Sequence, residues 1–181
     1  MFLYDKIRSF FTYVVKFDEV DLSITGIVFL LSLAVLLLLI RKGIVKSIYT
    51  GVSIMLLPAY IFALFIAAVF TRESTVSETM MLDPVWKYLE LFQGETKYIT
   101  EIIVNIIMFI PLGLLLPGFK RIRIGYLLLI SVLISITIEL LQLITKTGIF
   151  EINDLINNII GFCVGLVVYY LFIKMIVHDD G

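Results

Sequence analysis

Apolar residues fall in long blocks separated by short polar turns, and the block lengths predict membrane-crossing helices. Residues 22–40 form the first clear block. At 1.5 Å of rise per residue it can cross a hydrocarbon core of about 30 Å. A second block runs to Phe70 and is interrupted by Pro58. A kink is expected there, since neighbouring helices can satisfy the carbonyl that proline frees. The third block, 102–116, contains Pro111 and is closed by Pro117 and Gly118; the fourth covers 124–144. A short link follows, with Gly148 as the expected helix stop. Asp154 opens the fifth block, which runs to residue 173, and an acid in the first turn suits the positive end of the helix dipole.

Two stretches have a different pattern. In residues 1–20, Leu3, Ile7, Phe10, Phe11, Val14 and Val15 recur at helical spacing, which predicts an amphipathic helix in the interface, with a short sixth span as the rival reading. Residues 71–100 form a long polar segment. Within it, D-P-V-W-K-Y-L-E-L-F (83–92) reads as a short amphipathic helix whose Trp86 and Tyr88 suit headgroup level. It is expected to be a surface helix, with a lid as the other possibility. The fold class is therefore all-α: a polytopic membrane helical bundle of about five transmembrane helices plus an N-terminal amphipathic helix. Residues 1–20 form the interfacial helix and 21–177 one transmembrane domain.

Composition agrees with this reading. The chain has 181 residues, 61% hydrophobic and 16% charged, against about 45–50% and about 25% for soluble domains. It has no basic tract of the kind nucleic acid requires. The one cysteine, Cys163, lies in an apolar block and is expected to pack as a small hydrophobe. The one histidine, His178, is near the C-terminus, so no Ser–His–Asp or Cys–His set can form around the polar residues of the blocks. No catalytic residue, cofactor or metal site is assigned; a divalent cation between Glu139 and Asp154 would lack a dense acid cluster.

Orientation follows from the short basic turns. Arg41, Lys42 and Lys46 follow the first block, and Lys120, Arg121 and Arg123 follow the third. Neither turn holds an acid, and both fall on one side of any alternating scheme, which should be cytoplasmic. Segment 71–100 and the link 145–154 then face outward.

Polar residues converge near that outward side. Asn105 lies near the outer end of the third block, Glu139 and Gln142 near that of the fourth, and Asp154, Asn157 and Asn158 at the start of the fifth. Glu139 and Gln142 are three residues apart and share a helix face. Asp154, Asn158, Gly161 and Gly165 form one stripe, and its glycines allow another helix to approach closely. An ionisable residue at membrane depth is a functional-site candidate, since a central charge costs about 2.5–3.5 kcal/mol on insertion scales. Two readings stand. In the structural one, Asn105, Glu139, Gln142 and Asn158 bond across helices, each bond worth about 0.6 and up to roughly 1.7 kcal/mol. In the functional one, Asn105, Glu139, Gln142, Asp154 and Asn158 line an outward-facing polar pocket that binds a ligand. There Glu139, the deepest acid, meets a cationic group or exchanges a proton, and Asp154 both caps its helix and lines the pocket.

N-I-I-M-F-I-P-L-G-L-L-L (105–116), E-L-L-Q (139–142) and D-L-I-N-N-I-I-G-F-C-V-G (154–165) resemble the VanZ family. The matching residues are Asn105, Phe109, Pro111, Gly113, Glu139, Gln142, Glu151, Asp154, Asn158, Gly161 and Gly165, within 101–172. The resemblance marks Pro111, Gly113, Gly161 and Gly165 as structural positions. Gly148 stands near where many members carry an Arg, and Asn153 where an Asp is common. The resemblance implies a multi-pass protein of the bacterial plasma membrane associated with low-level resistance to teicoplanin-type lipoglycopeptide antibiotics. The expected partners are a membrane lipid, a lipid-linked cell-wall precursor, or the lipoglycopeptide itself. The alternative is a membrane-embedded enzyme that modifies a lipid-linked envelope substrate with Glu139 as general acid or base. A small carrier is a third reading, weakened by the absence of an internal repeat.

Overall fold

The structure is a computed structural model that describes residues 19–45, 47–70, 80–119 and 122–173. Of residues 1–20, expected to form an interfacial amphipathic helix, 1–18 lie outside the described residues, as do those from 174 on, and 19–20 belong to the first long helix. Six helices are present among those described: α1 (Glu19–Arg41), α2 (Ile48–Phe65), α3 (Trp86–Phe92), α4 (Ile99–Leu115), α5 (Ile124–Thr145) and α6 (Ile152–Val168). Wider helical turns continue α2 over Ile66–Phe70 and α6 over Tyr169–Ile173, and a tight turn, Leu116–Gly118, ends α4. Five of these helical segments are long and apolar enough to cross a membrane. Two short strands, β1 (Met80–Met81) and β2 (Phe150–Glu151), pair in parallel.

Helix α1 is peripheral: 11% of its span is buried, against 33% for each of the others. It turns Ser32 and Leu36 toward α2, where Gly51 leaves room for the Leu36 side chain. Its hydroxyls are satisfied within the helix: Thr25 donates to the Asp21 carbonyl at 2.7 Å and Ser32 to Val28 at 2.8 Å. That local bonding hides polar groups on a lipid-facing helix. Helix α2 continues through Pro58 and supplies two anchors to α4. Tyr49 donates to the Leu114 carbonyl, and Tyr60 donates at 2.6 Å to Met108, in the turn that Pro111 disrupts. The apolar core joins Leu57 and Leu64 of α2, Phe109 and Leu112 of α4, Leu127 and Ile138 of α5, and Phe162 and Leu166 of α6.

Helices α4 and α6 run parallel and in closest contact. A Cβ on Gly161 would overlap the Ile106 carbonyl, one on Gly165 the Ile110 carbonyl, and one on Gly113 the Phe162 carbonyl. Only hydrogen fits at these three positions, which is why a stripe of small residues lets the backbones meet. Pro111 sits inside α4, half-buried, and does not end it.

The stop of α5 differs from the sequence expectation. Lys146, not Gly148, takes the left-handed conformation, with φ 57°. Thr147 N–H bonds the Gln142 carbonyl at 3.0 Å and Lys146 N–H bonds Leu143 at 3.3 Å, a Schellman closure. Gly148 serves packing instead: a Cβ there would lie 3.3 Å from that of Gln142.

Arg41, Lys42 and Arg123 share one end of the bundle, since Tyr49 reaches Leu114 and a Cβ on Gly118 would overlap Ser53. The starts of α4 and α6 and the end of α5 lie at the other end, with α3 laid across them.

Candidate functional site

The far end of the bundle is organised around Lys87, on α3. Its side chain is 1% exposed, a rare state for lysine that demands paired charge. The ammonium meets three carboxylates: Glu151 Oε2 at 2.8 Å, Asp154 Oδ1 at 2.8 Å and Glu101 Oε2 at 3.0 Å. These come from the start of α6 and the first turn of α4. Trp86 and Tyr98 flank the same nitrogen, with ring centroids 5.7 and 5.9 Å away. The rings pack edge to face on each other at 4.8 Å. A cation between carboxylates and aromatic faces gains from both.

Burial alone would lower the Lys87 pKa, but the charge and hydrogen bond of Asp154, with those of Glu151, outweigh it and the net shift is upward. Lys87 therefore stays charged throughout the physiological range. Glu151 is pushed up by burial and by the Asp154 charge, against the pull of Lys87. Three carboxylates around one ammonium are an unequal set, and the Glu101 side chain, 40% exposed, is its open side.

The segment carrying Lys87 is fastened at further points. Strand β1 pairs with β2, matching Met81 to Glu151. Asn153 Nδ2 reaches the Asp83 carbonyl at 3.5 Å, and the Tyr88 hydroxyl donates to Asn157 Oδ1. Residues 83–92 were expected to be a surface helix. The observed helix begins later, at Trp86, and is a cover whose lysine is inserted into the bundle end, while Leu89 and Phe92 on its other face are exposed. The inward lysine was missed because a single Lys in an amphipathic segment carries no sign of the acids it will meet.

Beneath this cluster lie the residues singled out from the sequence. Asn105, Glu139, Gln142, Asp154 and Asn158 are all 6% exposed or less, so they form a buried polar layer. Glu139 Oε2 accepts the Glu151 backbone N–H at 2.9 Å and so ties α5 to the start of α6. Gln142 Nε2 donates to the Ala68 carbonyl at 2.8 Å, at the wide turn ending α2, where the helical ladder is irregular. Asn158 Nδ2 donates to Ser135 Oγ at 2.8 Å. Asp154 does not cap its helix as expected: Glu151 is the N-cap residue, no side-chain cap bond forms, and Asp154 turns to Lys87. The Asn105 Nδ2 is buried with no hydrogen-bond partner among the described residues, and so is Asn157 Nδ2.

Glu101 and Ser135 are the other polar participants the sequence reading passed over. Both had a usable signal. Glu101 precedes Asn105 by four residues on one face of α4, and Ser131, Ser135, Glu139 and Gln142 make a buried stripe on α5.

Fold and site together define a multi-pass helical membrane protein with a charged cluster and a polar layer at one bundle end. The chain matches the family described as VanZ/LLP1 over residues 27–173. It belongs to the VanZ family. It is 40% identical over 72 residues to "Protein VanZ" of Enterococcus faecium, a stretch covering 39% of this chain and 45% of that protein. The chain thus aligns with less than half the length of that relative. No solved structure matches it.

Proposed function

We propose that this protein sits in a bacterial plasma membrane and contributes to low-level resistance to teicoplanin-type lipoglycopeptides. It does so by binding a lipid-anchored or lipoglycopeptide ligand at the outer end of its bundle. The observation that carries this reading is the Lys87 ammonium held by Glu101, Glu151 and Asp154 beneath α3, at the end opposite Arg41, Lys42 and Arg123. Charge asymmetry in the short turns supports an outward placement of that end. The resemblance to VanZ supplies the drug class, whose acyl tail and extracellular action suit a site at the outer leaflet. Binding is favoured over catalysis because Glu139, the candidate acid or base, is occupied by the Glu151 N–H and is 1% exposed. In this reading Glu139, Gln142 and Asn158 hold the helix ends in register, and the carboxylates around Lys87 meet the ligand.

The test is expression in a susceptible host, with teicoplanin and vancomycin tolerance measured at matched membrane levels. Asp154→Asn and Glu101→Gln should each reduce the teicoplanin protection and leave vancomycin tolerance unaltered. Full teicoplanin protection with both variants refutes the reading.

A further inference from the structure

The surroundings of Lys87 have the composition of an ammonium receptor already filled by part of the chain. Three carboxylate oxygens lie within 3.0 Å of its nitrogen, and two aromatic rings lie within 5.9 Å. This combination recognises a cationic amine, because carboxylates take its N–H groups and ring faces take its residual charge. Apart from the ion pairs of Lys87 itself, which an incoming ammonium would replace, and the packing of Trp86 on Tyr98, the seven-residue helix α3 is held among the described residues by few bonds: the short strand pair, Asn153 to Asp83, and Tyr88 to Asn157. An element so lightly tied can lift without unfolding the helices beneath it.

A second observation points to what else the site takes. Asn157 is 0% exposed and Asn105 6%, and the side-chain amide nitrogen of each is a buried donor with no hydrogen-bond partner among the described residues. Asn157 lies one turn inward from Asp154 on α6, and Asn105 one turn inward from Glu101 on α4. The packing of Gly161 on Ile106 brings those turns side by side. Buried polar groups left unpaired are rare and call for a partner. The site therefore offers acceptors for an ammonium at the outer level and donors for an oxygen acceptor one turn, about 5.4 Å, deeper. A lipid of the outer leaflet presents its groups in that order: amine outermost, phosphoester oxygen below, acyl chains in the hydrocarbon.

We propose that the carboxylates of Glu101, Glu151 and Asp154, with Tyr98, bind the primary-ammonium headgroup of a membrane phospholipid, and that Lys87 occupies the site as an internal stand-in until such a headgroup displaces it and α3, with Trp86, lifts away. The proposal rests on the reading of this bundle end as a binding site and names its ligand class. The ammonium of the lipid replaces that of Lys87 between the carboxylates, and the phosphoester oxygen accepts from Asn157 and Asn105. No bond is made or broken.

The experiment titrates the full chain with phosphatidylethanolamine, N-acetyl-phosphatidylethanolamine and phosphatidylcholine, with bound lipid counted by native mass spectrometry. Phosphatidylethanolamine should bind about tenfold more tightly than either analogue, which lacks the charge or the N–H donors. Soluble phosphoethanolamine should bind about tenfold more weakly than the lipid, since it has no chains to bury. Lys87→Met removes the internal competitor and should raise phosphatidylethanolamine affinity about fivefold or more. Tyr88→Phe, which loosens α3 without touching the ammonium, should raise it in the same direction if Lys87→Met does not fold. Glu101→Gln, on the open side, should reduce the preference for the amine. Equal binding of the three lipids overturns the proposal, as does an affinity unaltered or lowered in both Lys87→Met and Tyr88→Phe. Equal binding of the soluble headgroup overturns the lipid assignment. Loss of amine preference in a protein that still protects against teicoplanin overturns this proposal alone. Amine-selective binding in a protein that gives no protection overturns the resistance reading alone.

Discussion

Replacing Lys87 by methionine keeps most of the apolar stem and removes the charge. What it does to stability can be worked from the contacts. At 2.8 Å and an effective dielectric of about 20, each of the Glu151 and Asp154 pairs is worth about 6 kcal/mol of gross attraction. Desolvation of the ions offsets most of this, and measured losses on breaking a buried pair are about 3–5 kcal/mol. The Glu101 contact adds little, because its side chain is 40% exposed and screened. The loss comes from stranding Glu151 and Asp154, both buried, beside each other. Purified Lys87→Met should therefore unfold in detergent about 10 °C below the wild type, given about 2–4 °C per kcal/mol for chains of this size. The same argument requires recovery. Adding Glu151→Gln and Asp154→Asn to Lys87→Met removes the stranded charges and should restore most of the loss. A single variant as stable as the wild type refutes the argument, and so does a triple variant no better than the single.

Three other outcomes follow from separate contacts. Gly161→Ala puts a Cβ against the Ile106 carbonyl and should cost about 1–3 kcal/mol by overpacking, whereas Gly125→Ala, where the new Cβ meets nothing within 4 Å, should not destabilise; thermal unfolding of the two compares them. Glu151 has its pKa raised on folding, so its stabilising contribution is complete below the ordinary glutamate range and is lost as pH rises through the elevated value. The wild type should gain thermal stability relative to Glu151→Gln as pH falls from neutral into the weakly acid range; an unchanged difference across that range refutes the shift. Glu139→Gln keeps an oxygen to accept the Glu151 N–H and should stay near wild type in stability, while Glu139→Ala leaves that donor buried and should lose about 1–3 kcal/mol in the same assay.

The five spans were legible because hydrocarbon-length apolar blocks permit few structures other than helices, and the described helices occupy those blocks with ends shifted by a few residues. The depth of Asn105, Glu139 and Asn158 was legible too, since counting residues from a helix end gives a height in the bundle. Their hydrogen-bond partners were not. Glu139 bonds a backbone N–H, a group every residue carries and no side-chain pattern marks. Gln142 bonds the Ala68 carbonyl at an irregular turn that composition does not announce. Lys87 was hidden for a related reason. In a polar segment a lysine is ordinary, and only the placement of α3 across the starts of α4 and α6 buries it as fully as Glu139. The stop at Lys146 shows the same limit: the left-handed turn is fixed by bonds back to Gln142 and Leu143, and a non-glycine residue accepts it.

The glycine stripe and the charged cluster are coupled by geometry. Glu101 lies five residues before Ile106 on α4, and Asp154 seven before Gly161 on α6, so both carboxylates stand within two turns of the tightest backbone contact. Parallel helices pinned there cannot diverge far before the ends that carry Glu101 and Asp154, which keeps the two acids close enough to hold one nitrogen at 2.8 and 3.0 Å. The third acid is set from another direction: Glu139 on α5 holds the Glu151 backbone N–H, so a third long helix positions the residue whose side chain meets Lys87. The polar layer is thus the support on which the charged cluster depends. A substitution at Gly161 that spreads α4 from α6 should therefore weaken the hold on Lys87 as well as the packing, although Gly161 contacts none of the charged groups.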